Sequence, residues 1–250
     1  MARPPRRTPD RHLRRRRSLC GGTLPIARRT AGIDHPRPGG AVVLRRGHRL
    51  PVTPAGQIQR DARTLVRRDP RLASNGIPLG IEVWGGGYGG LVRLILGQLV
   101  SIEAADAMWA NLTTALGAVT PETIAAADPA TLRRCGFTAQ KAAYARAIGA
   151  AGIDFTALDA AADDESVARL VQLPGIGVWT AECYLVFCLG RRDVFPAGDL
   201  ALRIGWGEIA GLDGPPTGAA LRATAAQWAP HRTAAAYLIW AQYLRVRRRV

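Results

Sequence analysis

The chain has 250 residues and a formal net charge of +15, with 34 basic and 19 acidic side chains. Hydrophobic residues make up 48% of the sequence, which is enough to build a packed core. The apolar run at 91–100 is interrupted by Arg93 and is much shorter than the roughly 20 residues that a membrane span requires. These figures favour a globular protein and argue against a membrane protein.

The positive charge is concentrated at the amino terminus. Residues 1–70 hold 18 arginines against four aspartates, whereas residues 71–250 are nearly neutral. Residues 1–37 contain four consecutive arginines, several prolines and few large apolar side chains, so this segment can bury little surface. We therefore expect residues 1–70 to form a disordered, arginine-rich tail. An inert tail, a non-specific tether for DNA or RNA, a mitochondrial transit peptide and a start codon placed too early all remain open.

The cysteines and histidines show no pattern typical of a metal centre. Four cysteines have no CxxC spacing, and three of the four histidines lie in the first 50 residues. We expect no structural zinc, no iron–sulfur cluster and no required cofactor. The cysteine usage, with no secretory signal after the first arginines, predicts a reducing compartment, the cytoplasm.

Helix-capping signals follow one another from residue 88 onward. Ser101 can cap a helix that ends at Gly117, and Thr120 and Asp128 each precede a proline at a first helical position. Two-residue alternation is nowhere sustained, so the sequence predicts an all-α domain of eight to ten helices over residues 71–250. The later helices are predicted near 138–150, 163–173, 177–189, 200–210, 217–228 and 231–246.

The sequence Leu-Pro-Gly-Ile-Gly at 173–177 lies between two of these predicted helices. Pro174 ends the first helix, and the glycines permit a tight turn. The second helix then begins with unpaired amides at its positive dipole end, which suits a phosphate group. On its own, this motif is equally consistent with a simple packing corner.

Four motifs taken together resemble the helix–hairpin–helix DNA glycosylase superfamily, and within it most closely the DNA-3-methyladenine glycosylase II family. They are the string LPGIGVWTA at 173–181, the 22-residue step from Gly177 to Asp199, the string LGQLVS at 96–101, and the tryptophan-bearing helix at 228–240. The resemblance covers about residues 75–245. It implies two helical lobes with a cleft between them and a helix–hairpin–helix at about 164–190.

The resemblance also implies roles for individual residues. Asp199 matches the catalytic carboxylate, although an aspartate at this position is also an ordinary helix N-cap, and both readings can hold. Leu99, preceded by Gln98, matches the wedge that fills the duplex where a base has been removed. The alternative for Leu99 is core packing, because Leu91, Ile95 and Leu99 would share one face of a continuous helix.

Two further groups of residues carry over from the family. The base pocket matches Trp179, Trp240, Cys183 and Leu200. The phosphate-binding turn matches Gly175, Ile176, Gly177, Trp179 and Thr180. A monovalent cation on the hairpin carbonyls near Leu173 and Gly175 is a further implication, with no metal ligand among the side chains. Cys183 and Leu200 depart from the aromatic residues of the family, which leaves the breadth of the pocket open.

This resemblance implies a base-flipping hydrolase that acts on double-stranded DNA as a monomer and associates with the nucleoid. Tryptophan faces would stack on a flipped, cationic alkylated purine while Asp199, ionised, stabilises the oxocarbenium-like sugar and orients water. Relatives with lyase activity use a lysine early in the second hairpin helix, where this chain has Val178, Trp179 and Thr180. Lys141 is the only lysine, so we expect a monofunctional glycosylase. The same fold acting on uracil, hypoxanthine or an oxidised purine, and a non-catalytic DNA-binding module, are the alternatives.

Overall fold

The computed structural model describes residues 53–73, 76 and 81–247. Within these ranges the chain forms twelve α-helices and no β-strand, so the all-α expectation is confirmed. The helices are α1 (Pro54–Arg68), α2 (Gly87–Gly97), α3 (Ile102–Leu116), α4 (Pro121–Ala126), α5 (Pro129–Arg134), α6 (Ala139–Ala150), α7 (Phe155–Ala160), α8 (Asp163–Leu170), α9 (Val178–Cys183), α10 (Leu200–Ala210), α11 (Gly218–Ala225) and α12 (Arg232–Arg247). The count exceeds the predicted eight to ten because α1 and the six-residue α7 were not predicted.

The boundary between tail and domain lies earlier than residue 70, so that part of the prediction is wrong. Helix α1 begins after Thr53, whose side chain accepts a hydrogen bond from the amide of Gly56. Its residues Ile58, Ala62 and Leu65 are 0% exposed and belong to the core. The charge count over residues 1–70 hid this helix because its arginines lie opposite an apolar stripe. The disorder expected for residues 1–52 lies outside the described residues.

The predicted caps are confirmed. The side chains of Ser101, Thr120 and Asp128 each accept a hydrogen bond from a backbone amide of the first helical turn. Thr138 does the same for α6, accepting from the amide of Lys141. Local sequence thus sets where these helices begin.

The contacts between the helices divide most of them into two groups. In the first group, α2 packs against α3 and α6, and α6 packs against α4; in the second, α12 packs against α1 and α10. Helix α9 continues as a π-helical turn, Tyr184–Cys188, whose residues are fully buried and contact α2. This arrangement places the end of α2 near the α8–α9 turn. Helix α10 begins after the loop that follows the π-helical turn. Among the described helices, none is both long and apolar enough to span a membrane.

Candidate active site

The turn between α8 and α9 contains two glycines with different structural roles. Gly175 has a φ of +78°, and a Cβ there would lie 2.2 Å from the ring of Tyr144. Gly177 has a φ of −90°, and a Cβ built there would have no neighbouring atom within 4 Å. The fold therefore requires glycine at 175. At 177 nothing inside the protein requires it, and the open space outside suits the close approach of another molecule.

The amides at the start of α9 are only partly as predicted. The first intrahelical bond of α9 runs from the amide of Ala181 to the carbonyl of Gly177, so the amides of residues 178–180 point outward without a helical acceptor. The amide of Ile176 donates to the carbonyl of Leu173, and the Ile176 side chain is buried. The Thr180 side chain is also buried. Ile176 therefore offers no free donor in this turn, and Thr180 offers its backbone amide but not its hydroxyl.

The loop between α9 and α10 is fastened by two ion pairs. Arg192 donates two hydrogen bonds of 2.8 Å to the carboxylate of Asp61 on α1. Arg232, at the start of α12, donates two bonds of 2.8 and 2.9 Å to Asp193. Burial acts to raise the pKa of Asp61, but the hydrogen bonds it accepts outweigh this effect, so its pKa is lowered and the pair stays charged. These contacts fix the path of the chain into Asp199.

Asp199 lies at the N-cap of α10 and is 1% exposed. Its Oδ1 accepts hydrogen bonds from the Leu202 amide (2.9 Å) and from the indole N–H of Trp240 (3.1 Å). Its Oδ2 accepts one from the indole N–H of Trp179 (3.0 Å). Burial raises the pKa of Asp199 above its ordinary value, while these N–H donors favour the charged form and limit the rise.

The structure gives the two tryptophans a contact that sequence reasoning missed. Their N–H groups hold the carboxylate, although Trp179 lies 20 and Trp240 41 positions away from it. Trp240 is 2% exposed, and one of its faces stacks on Phe187 at 5.1 Å between ring centroids. It therefore supports Asp199 from the core and, in this structure, is not a free stacking surface. Trp179 is half-buried and keeps part of its surface exposed.

The other two predicted pocket residues differ in their burial. Cys183 is 0% exposed, because it faces inward where α9 passes into the π-helical turn. It lies behind the site and not on its surface, so its predicted lining role is wrong for this structure. Leu200, directly after Asp199, is half-buried.

The segment between α2 and α3 presents the predicted wedge. Helix α2 ends at Gly97, so Leu99 leaves the helical face that Leu91 and Ile95 bury. Leu99 is 72% exposed and has a φ of +62°, the one positive φ of a non-glycine residue among those described. The core-packing alternative for Leu99 is wrong, and an exposed apolar side chain at the end of this helix has the form that a wedge requires. Gln98 does not share the exposure, since its side-chain amide donates to the Gly175 carbonyl and the Thr180 hydroxyl, each at 3.1 Å.

The described residues contain no cluster of three or more histidine, cysteine, aspartate or glutamate side chains that could hold a metal ion. The carbonyls of Leu173 and Gly175 accept one hydrogen bond each, from the Ile176 amide and from Gln98. Each carbonyl oxygen keeps a second lone pair. The turn is therefore chemically compatible with a weakly held monovalent cation.

Residues 92–231 match the family described as the HhH-GPD superfamily of base excision DNA repair proteins. The chain belongs to this superfamily. The DNA-3-methyladenine glycosylase 1 of Schizosaccharomyces pombe is 35% identical over 161 residues, which are 61% of this chain and 71% of that protein. The DNA-3-methyladenine glycosylase 2 of Escherichia coli is 30% identical over 162 residues, 60% of this chain and 55% of that protein.

Solved structures agree with this membership. The Schizosaccharomyces pombe 3-methyladenine DNA glycosylase (Mag1), solved in complex with abasic DNA, superposes with a TM-score of 0.61 at 30% identity. The match covers 74% of this chain and 95% of that one. The DNA-3-methyladenine glycosidase of Bacillus halodurans superposes with a TM-score of 0.58 at 28% identity, over 73% of this chain and 88% of that one. DNA is therefore the binding partner of this superfamily protein.

Proposed function

We propose that this chain is a monofunctional DNA glycosylase that hydrolyses the N-glycosidic bond of alkylated purines of the 3-methyladenine type in base-excision repair. The observation that carries the proposal is the placement of Asp199. A single carboxylate follows the hairpin at the family spacing, is held by three N–H donors, and has its approach loop fastened by two ion pairs. Proteins similar in sequence to this chain bear the name of that activity.

The proposed chemistry is stabilisation of positive charge at the sugar. A base inside a duplex is inaccessible, so the nucleotide is flipped out and Leu99 fills the gap. Breaking the bond from C1′ to the base nitrogen leaves oxocarbenium character, and a carboxylate about 4 Å away contributes roughly 4 kcal/mol at an effective dielectric constant of about 20. Enzymatic rate enhancements need about 8 kcal/mol or more. The positive charge of an alkylated purine, which makes it a good leaving group, supplies much of the difference.

Access to Asp199 requires a movement of Trp179. The aspartate is 1% exposed, its neighbours in sequence are the exposed Gly198 and the half-buried Leu200, and the half-buried Trp179 covers its Oδ2. We propose that the indole of Trp179 leaves Oδ2 when a flipped nucleotide enters and then stacks on the cationic base. Such stacking contributes about 1–3 kcal/mol per base.

Hydrolysis by water follows from the position of Lys141. Its ammonium donates to the backbone carbonyls of Leu96 and Gln98, both at 2.8 Å, and so is engaged in the wedge segment away from the Asp199 carboxylate. No other lysine exists in the sequence. A Schiff-base intermediate, and with it strand cleavage, is therefore not expected.

The remaining parts of the proposal concern the assembly. We propose that the protein acts as a monomer on double-stranded DNA, in the cytoplasm at the nucleoid, without a required cofactor. A monovalent cation bound by the carbonyls of Leu173 and Gly175 would strengthen the binding of a DNA phosphate by the hairpin.

The experiment that tests this function is mass spectrometry of the free bases that the purified protein releases from methylated duplex DNA. We expect 3-methyladenine among the products and no covalent enzyme–DNA adduct after borohydride treatment. Release of uracil, hypoxanthine or oxidised purines in place of methylated bases would overturn the substrate assignment, and a trapped adduct would overturn the monofunctional one.

A further inference from the structure

The wedge segment between α2 and α3 combines two unfavourable features. Leu99 adopts a left-handed backbone conformation that costs a non-glycine residue free energy, and it exposes 72% of a large apolar side chain to water. A four-residue connection, 98–101, would not hold such a conformation by itself. Neighbouring groups must therefore fix it.

Lys141 supplies the first of these groups. Its ammonium lies 2.8 Å from the carbonyl of Leu96, in the last turn of α2, and 2.8 Å from the carbonyl of Gln98, the residue before Leu99. The last carbonyls of a helix lack intrahelical donors, so a cation placed there satisfies both the hydrogen-bonding need and the helix dipole. A single ammonium thus ties the end of the helix to the residue that carries the wedge.

The lysine is itself held in place. The amide of Lys141 is capped by Thr138 at the start of α6, and α6 packs against α2. Its side chain is half-buried, and no ion pair among the described residues includes it. Within the described part of the chain, the hydrogen-bond partners of this cation are the carbonyl of Leu96 in α2 and the carbonyl of Gln98 in the wedge segment.

Gln98 supplies the second fixing group from the opposite side. Its side-chain amide reaches the carbonyl of Gly175 and the hydroxyl of Thr180, both in the phosphate-binding turn. The wedge segment is therefore bonded to α6 through its backbone and to the hairpin through the Gln98 side chain.

We propose that Lys141 is a positioning residue for DNA intercalation. It holds Leu99 in its strained, exposed conformation, at a fixed position relative to the phosphate-binding turn. This inference rests on the proposed function. Without the Lys141 ammonium, the wedge segment relaxes toward an ordinary right-handed conformation. Leu99 then no longer points into the gap that a flipped base leaves in the duplex. Lys141 would then act through Leu99 and would touch neither the base nor Asp199.

The test is a double-mutant cycle on single-turnover excision from a duplex that carries one alkylated purine. Lys141→Met is expected to lower the rate roughly 10- to 100-fold, as misplacement of a reacting assembly does. Leu99→Ala lowers it too, and in the Leu99→Ala background Lys141→Met is expected to have no further effect, because the group it positions is gone. Lys141→Arg, which can still donate to both carbonyls, is expected to recover most of the rate. Independent, multiplying effects of the two substitutions would overturn the proposal.

A phosphate contact is the competing role, and salt dependence separates it from positioning. If Lys141 contacted a phosphate, Lys141→Met would reduce the slope of log affinity against log salt on undamaged duplex by about one. We expect an unchanged slope, both for Lys141→Met and for the charge-matched control Arg134→Met, whose exposed side chain bonds only to Thr131 among the described residues. A reduced slope for Lys141→Met alone would contradict the positioning role.

A direct reading of the wedge completes the test. In an Asp199→Asn background, the fluorescence of a 2-aminopurine placed beside the lesion is expected to increase on binding, when Leu99 enters the base stack. The increase should be smaller with Lys141→Met.

If Lys141→Met does not fold, as judged by its thermal melt, the cycle is run with Lys141→Gln, whose amide group can still donate to a carbonyl. Absence of excision by the unaltered protein would instead refute the proposed function, so the two failures are distinguishable.

Discussion

The charge of Asp199 depends on the two indoles that contact it. Burial alone would favour the neutral acid, which could not stabilise a cationic sugar, and the N–H donors act against that tendency. A tryptophan that holds the carboxylate and then stacks on the base would serve both the resting and the reacting state. The indole N–H and the indole face can be tested separately, because phenylalanine keeps the face and removes the donor.

Trp179→Phe is expected to move the acid limb of the pH–rate profile to higher pH. The Trp179 N–H stabilises the carboxylate, so its loss raises the pKa of Asp199, and more of the aspartate is protonated at a given acidic pH. Second-order excision rates measured across a pH series at subsaturating protein, which report the free protein with Trp179 still on Oδ2, check this.

The matched control is Trp109→Phe, which alters a half-buried indole that lies against Arg93 instead of Asp199. Its acid limb should coincide with that of the unaltered protein. An acid limb that stays in place, or moves to lower pH, in Trp179→Phe would contradict the role given to the indole N–H.

The two glycines of the hairpin, Gly175 and Gly177, should respond differently to substitution by alanine. Gly175→Ala places a Cβ against the ring of Tyr144 in a left-handed conformation, so we expect a loss of about 1–3 kcal/mol of unfolding free energy. Gly177→Ala meets no atom and should cost at most about 1 kcal/mol. It should nevertheless weaken DNA binding, because the new methyl group stands where the DNA backbone approaches.

Chemical denaturation and fluorescence anisotropy on a duplex check both variants. The pattern expected is a stable, poorly binding Gly177→Ala protein beside an unstable Gly175→Ala protein. Undiminished DNA binding by Gly177→Ala would show that the open space at this turn is not the DNA contact.

The elements whose signals are local were predictable from the sequence. The caps at Ser101, Thr120 and Asp128 lie next to the helices they begin, so a single stretch of chain contains the whole signal. The spacing from the hairpin to Asp199 was likewise readable, because family motifs record it. Helix α1 was missed because its arginines were counted with those of the tail. The structure shows that its apolar side chains pack into the core.

Contacts between distant segments were not predictable from the sequence. The indoles that hold Asp199, the pairing of Arg192 with Asp61, and the ammonium of Lys141 on two carbonyls all join residues from different helices. No local pattern shows which backbone carbonyls the ammonium of Lys141 will reach, because they belong to another part of the chain. Tertiary packing decides which ones it reaches.

Helix α1 marks the boundary between the domain and the charged segment before it. Residues 1–52 hold 14 arginines and two aspartates, whereas α1 contributes core side chains and the Asp61 carboxylate that fastens the loop between α9 and α10. Two truncations should therefore behave differently.

Deletion of residues 1–52 is expected to leave the fold and the chemical step at saturating DNA unchanged and to flatten the salt dependence of DNA binding, because fewer counterions are released. Deletion of residues 1–60 removes Ile58 and the first turns of α1, so it should also lower the thermal midpoint. Anisotropy titrations at several salt concentrations and thermal melts check these outcomes. An unchanged salt slope after the shorter deletion would show that the segment does not tether DNA.

Single-turnover release of an alkylated purine by Asp199→Asn decides whether this carboxylate is catalytic. Asparagine keeps the N-cap bond to the Leu202 amide and removes the charge, so folding and duplex binding should survive while excision is lost. A bound, folded and inactive variant is the result expected here. Excision at the rate of the unaltered protein would mean that the carboxylate beneath the two indoles is a structural cap and that the chemistry lies elsewhere.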